Sequence, residues 1–116
     1  MEKRISPHDL GRLGEETAAT LLQTEGYKIL ARNYRCSQGE IDLIAARGNR
    51  ISFVEVKTRR SFHYGRPCES ITRGKRNRIR RTALCYLREQ EDRGRFWDEI
   101  GFDVLEITLF YTENAF

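Results

Sequence analysis

The chain has 116 residues, of which 21 are basic and 17 acidic, for a formal charge of +4 at neutral pH. With 39% hydrophobic residues, 33% charged residues and only two prolines, it suits a single domain over residues 1–116, with residues 1–9 as a loose lead-in. That composition excludes collagenous and disordered classes. No uninterrupted apolar run approaches the roughly 18 residues of a spanning helix, so no membrane partner is expected. The N-terminus lacks an apolar stretch behind Lys3-Arg4, which points to the cytoplasm.

The elements follow in chain order. Leu10, Leu13, Thr17 or Ala18, Leu21 and Leu22 recur at helical spacing up to about Thr24, and Gly26 stands where a helix would stop. Residues 27–34 alternate partly and read as a strand. It is bounded by a turn at Cys36 to Gly39. Glu40 to Ala46 and Ile51 to Thr58 are separated by Arg47-Gly48-Asn49-Arg50, the pattern of a β-hairpin. A second helix is expected from about Thr72 to Glu89, with Ile79, Ala83, Tyr86 and Leu87 on one face and arginines on the other. Phe102 to Ile107 alternates as a fourth strand, and Leu109-Phe110-Tyr111 either continues it or forms a fifth. The order α-β-β-β-α-β predicts an α/β fold, a central mixed sheet of four to five strands flanked by helices.

Charge is unevenly spread. Between Lys57 and Arg81 there are ten basic residues against the single acid Glu69. Most are arginines, whose planar fork suits phosphate oxygens, and Phe62 and Tyr64 lie beside them as stacking groups. A polyanionic partner follows, with a merely solvated helix face as the plainer reading. The three cysteines, Cys36, Cys68 and Cys85, form no disulfide framework, and His63 with Cys68 matches no common zinc spacing. Reduced thiols are expected.

Three ionisable residues interrupt the hairpin's apolar runs: Asp42, Glu55 and Lys57. Alternation puts Glu55 and Lys57 on one face, and antiparallel pairing can bring Asp42 beside them. Two neighbouring carboxylates repel unless a cation intervenes. Mg2+ fits, as a hard ion that needs one or two carboxylates plus water and phosphate, and Mn2+ can substitute. A lysine there can orient a water and neutralise charge growing on phosphorus. The plainer reading is a surface salt bridge with Asp42 capping a turn. Against it, Glu55-Val56-Lys57 is the only acid-x-Lys triplet in the chain, and it runs directly into the basic segment.

Gly39-Glu40-Ile41-Asp42-Leu43-Ile44, followed by Glu55-Val56-Lys57-Thr58-Arg59, resembles the bipartite signature of the PD-(D/E)xK, restriction-endonuclease-like nucleases. Further motifs are Gly11-Arg12-Leu13-Gly14-Glu15, Gly26-Tyr27, Arg32-Asn33-Tyr34-Arg35, Ile71-Thr72-Arg73-Gly74-Lys75-Arg76, Phe102-Asp103-Val104 and Asn114-Ala115-Phe116. Together they are similar to the bacterial YraN family of predicted endonucleases, related to archaeal Holliday-junction resolvases. The resemblance implies Asp42 and Glu55 as metal ligands, the Val56 carbonyl as a further ligand, and Lys57 as the catalytic lysine. It also implies an acid from the first helix. Glu15 matches that position and shares a face with Ala18, Ala19 and Leu22, whereas Glu16 does not; a carboxylate merely favoured by the helix dipole is the alternative. Ile41 stands where the wider superfamily often has proline. Glu40, on the other face of a regular strand, receives no metal role.

Two functions follow. The first is a metal-dependent nuclease that hydrolyses phosphodiester bonds in DNA, branched or structured DNA included. Arg59, Arg60, Arg73, Lys75, Arg76 and Arg80 would grip phosphates, with DNA ahead of RNA as partner. The second is a non-catalytic nucleic-acid-binding scaffold of the same fold in a repair, recombination or RNA-processing assembly. Symmetric junction cleavage would require a homodimer, for which Phe96 and Trp97 are candidate interface residues, although such side chains are more often core.

Overall fold

In a computed structural model the residues described are 5–61, 71–110 and 112–116. Lys3, Arg4, Phe62, His63, Tyr64, Cys68, Glu69 and Tyr111, named above, lie outside them. The elements are α1 (Pro7–Thr24), β1 (Lys28–Cys36), β2 (Gly39–Arg47), β3 (Arg50–Ser61), α2 (Arg73–Glu91) and β4 (Glu99–Phe110). The α-β-β-β-α-β order is the one expected. The described strands form one four-stranded sheet in the order β1-β2-β3-β4. Its first two pairings are antiparallel and β3 with β4 is parallel, so the sheet is mixed.

Helix α1 begins a turn earlier than the apolar spacing indicates. Ser6 caps it, its Oγ accepting from the Asp9 N–H at 3.1 Å, and Pro7 follows in the first turn. That pair is a start signal independent of hydrophobicity. Thr72 caps α2 in the same way, accepting from the Lys75 N–H at 3.2 Å.

The two helices cover opposite faces. Ile79, Ala83 and Tyr86 of α2 pack with Ile41, Ile44, Ile51 and Phe53, as the stripe on that helix predicts. On the other face Ala18 and Ala19 of α1 pack with Leu43 and Val54. The expected leucine stripe of α1 needs correction, because Leu13 and Leu21 are about half exposed, while Gly14, Ala18 and Ala19 are buried. Small side chains let the helix axis approach the sheet: a Cβ on Gly14 would collide with Thr58 Oγ1. That spacing leaves the bulkier Leu13 and Leu21 on the flanks. Trp97 packs against the α2-side core, whereas Phe96 is exposed.

The sheet is irregular at one level. On β1, Arg32 pairs with Leu43 and Tyr34 with Ile41. Asn33 lies between those pairs, across from Asp42, with a left-handed φ of 51°, a conformation asparagine tolerates better than most residues. On β2, Ile41 and Ile44 both join the α2-side core while Leu43 joins the α1 side. Strict alternation therefore breaks at Asp42.

Candidate functional site

The β2–β3 ladder runs from Arg47↔Arg50 to Leu43↔Val54 and stops there. Beyond that point the strands fork. In place of a ladder carbonyl, Asp42 Oδ2 accepts the Val56 N–H at 2.8 Å. The carboxylate thus satisfies a backbone donor that the fork would leave unpaired. Glu55 sits one residue before that amide and is buried at 7% exposure. These residues line a cleft of about 280 Å³, with Gly39, Glu40, Asp42, Glu55, Lys75 and Arg78 on its walls.

Electrostatics tie the members together. Burial pushes the Asp42 carboxyl above the ordinary aspartate range, and nearby Glu40 adds to that, against the Val56 hydrogen bond and the charges of Lys75 and Lys57. Glu55 is raised by burial first and by the Asp42 charge second, against Lys75 and Lys57. Each acid therefore carries a burial cost that positive charge relieves. Lys57 is half-buried on β3 and close enough to both acids to relieve each of them.

Lys75 occupies a different place from the one charge alone indicates. It was expected to grip phosphate, yet its Nζ lies 3.3 Å from Glu55 Oε2. Thr72 caps the helix directly ahead of it, which brings the first turn of α2 over the fork. Glu40 is likewise nearer than expected: the break in alternation puts it on the same cleft as Asp42. It also borders the α1-side cleft with Glu15, Asn33 and Arg35, pairs with Arg35 at 3.4 Å and raises the proton affinity of Asp42. A strict two-residue period could not have foreseen this.

Glu15 approaches from the α1 side, half-buried, as its shared face with Ala18 and Ala19 requires. Its carboxyl is raised by burial, then by Asp42, against a hydrogen bond from the Asn33 side chain. Because α1 starts at Pro7, Glu15 lies in the third turn, beyond the part of a helix where the dipole acts. Among the described residues no three His, Cys, Asp or Glu side chains lie together closely enough to cage an ion. The acids that could hold an ion are the neighbouring pair Asp42 and Glu55, with Glu15 outside that pair and coupled to it through charge. Such a pair suits Mg2+ or Mn2+, which bind through one or two carboxylates and keep their water, and does not suit an ion that demands an all-protein cage.

The expected phosphate-gripping residues divide into two groups. Arg60, Arg73, Arg76 and Arg80 are exposed, with the Arg80 guanidinium 5.8 Å from the centre of the Phe102 ring. Arg59 is engaged within the sheet, its Nε 3.2 Å from Glu106 Oε1.

A family model, described as "Uncharacterised protein family UPF0102", matches residues 14–107. Among similar proteins, a UPF0102 protein of Nocardia farcinica is 49% identical over 100 residues, covering 86% of this chain and 76% of that one. A UPF0102 protein of Caldicellulosiruptor saccharolyticus is 44% identical over 105 residues, covering 90% and 86%. One from Clostridium botulinum is 46% identical over 101 residues, covering 87% and 80%. The matched span contains α1 from Gly14 onward, the fork and the first turn of α2, and on these matches the chain belongs to the UPF0102 family, the YraN family that its motifs resemble.

Proposed function

We propose that the protein is a metal-dependent nuclease of the PD-(D/E)xK, restriction-endonuclease-like type that hydrolyses phosphodiester bonds in DNA, branched or structured DNA included. The observation that carries this reading is the fork at Leu43↔Val54, where Asp42 takes the Val56 amide and stands beside buried Glu55. Asp42 and Glu55 would hold Mg2+ or Mn2+, with the Val56 carbonyl as a further ligand and Glu15 as an outer acid. When bound, the ion supplies Lewis-acid activation of the scissile phosphate and of the attacking water. Lys57 neutralises the charge that grows on the phosphoryl oxygens. The exposed arginines of α2 hold the flanking phosphates without reading bases.

The ion pair of Lys75 with Glu55 favours a second reading. The Lys75 to Glu55 pair already relieves the buried acid, as a nucleic-acid-binding scaffold of the same fold would require. One set of measurements separates the two. Purified protein is incubated with Mg2+ or Mn2+ and with duplex, branched and single-stranded DNA and RNA, beside Lys57→Ala. The nuclease reading expects cleavage by the wild type, lost by at least about 100-fold in Lys57→Ala with binding retained. Intact substrates throughout sink it. Calorimetry then decides for the scaffold if Mg2+ gives no heat that Asp42→Ala removes.

A further inference from the structure

Away from the acids, the β1–β2 turn rests directly on α2. A Cβ on Gly39 would stand 3.0 Å from Thr82 Oγ1 and 3.9 Å from the Cβ of Arg78. Cys36 ends β1 immediately before this turn, and Cys85 lies three residues beyond Thr82, on the same side of the helix. Both thiols are partly exposed, Cys36 pairs across the turn with Gly39, and each thiol perturbs the ionisation of the other. The Gln38 N–H also points at Cys36 Sγ, at 3.4 Å. This is a dithiol joining two elements far apart in sequence, at one end of the cleft that holds Asp42 and Glu55.

We propose that Cys36 and Cys85 are a site of reversible oxidation, closing to an intrachain disulfide by exchange with a small disulfide such as oxidised glutathione. Cys36 is the attacking sulfur. Burial opposes its ionisation, but hydrogen bonds from the Cys85 thiol and from the Gln38 and Gly39 amides outweigh that and lower its pKa, while Cys85 is raised. The Cys36 thiolate attacks one sulfur of the small disulfide, forming a mixed disulfide and expelling one small thiolate. Cys85 then gives up its proton and attacks the Cys36 sulfur, forming the internal S–S bond and releasing the second small thiolate. The two protein thiols lose two electrons and two protons. One small disulfide is reduced to two thiols. The product ties the β1–β2 turn to α2, so the helix that carries Lys75 becomes covalently fixed to the strand pair that carries Asp42. This inference does not depend on the hydrolytic reading.

The test uses the full chain with Cys68→Ser, so that only this pair remains. The protein is held with excess oxidised glutathione at about pH 7.5, then with N-ethylmaleimide, and weighed intact without reductant. The expected product is lighter by about 2 Da, takes up no maleimide and reverts with dithiothreitol. Adding Cys85→Ser arrests the reaction with one glutathione attached at Cys36, a gain of about 305 Da, and adding Cys36→Ser slows adduct formation at least about tenfold. Two glutathiones per chain, disulfide-linked dimers or an unreacted dithiol in the Cys68→Ser protein each overturn the proposal. If either added variant loses its native circular dichroism, the Cys68→Ser protein alone decides.

Discussion

Gly14 has a packing role that its residue type does not announce. The approach of α1 to β3 leaves room for a hydrogen and nothing larger, with Thr58 Oγ1 and the Thr58 Cβ both inside contact distance of an added methyl. Gly11, on the same helix, has open space in that direction. We expect Gly14→Ala to destabilise the protein by about 1–3 kcal/mol through overpacking. Gly11→Ala should instead stabilise it by about 0.5–1 kcal/mol through helix propensity. Urea unfolding of the two variants checks both signs. Should Gly14→Ala also come out stabilising, the helix does not rest on Thr58.

Asp42 acts at the level of the strand pair. Its carboxylate replaces one ladder bond where β2 and β3 part, so Asp42→Ala leaves the Val56 amide without a partner. The expected loss is about 1–3 kcal/mol, while Asp42→Asn, which keeps an acceptor oxygen, should cost less. Denaturant midpoints without added metal isolate this part from any ligand effect. The acidity of the same pair gives a second test. Asp42 and Glu55 both bind a proton more tightly in the fold than in the unfolded chain. The folded state therefore takes up protons first as pH falls, and stability rises from the raised folded values down to the unfolded ones near pH 4. Relative to Glu55→Gln, the wild type should gain stability on acidification from neutral pH to about 4. A flat difference across that window would mean that Glu55 titrates as it does in the unfolded chain.

For the molecule as a whole, the arginines of α2 set how strongly salt governs binding. Arg73, Arg76 and Arg80 are exposed, whereas Arg59 is paired with Glu106. Each of the first three, changed to Ala, should lower the slope of log affinity against log salt by about 0.9, and Arg59→Ala by less. Fluorescence anisotropy with a DNA duplex over a salt series measures the slopes, and equal effects at all four positions would contradict the distinction. The architecture was legible because long periodic segments, Gly-Asn at the hairpin and the order of elements all point one way. The pairing of Asp42 with Glu55 was legible too, as charge inside apolar strands. What stayed hidden depends on departures from regularity. Small residues rather than leucines seat α1, a broken alternation turns Glu40 onto the cleft, and a capped helix start delivers Lys75 to an acid rather than to phosphate. None of these has a periodic trace, since each is settled by how closely two elements approach.

Strand β3 is joined to β4 along its whole length, from Arg50↔Glu99 to Ser61↔Phe110. During synthesis the hairpin that carries Asp42 and Glu55 leaves the ribosome long before its outer neighbour does. For that interval the buried side of β3 has no lateral partner, and a nascent chain stalled ahead of Glu99 exposes an apolar strand edge to whatever it meets. The fork is thus drafted early and secured only once β4 arrives beside β3.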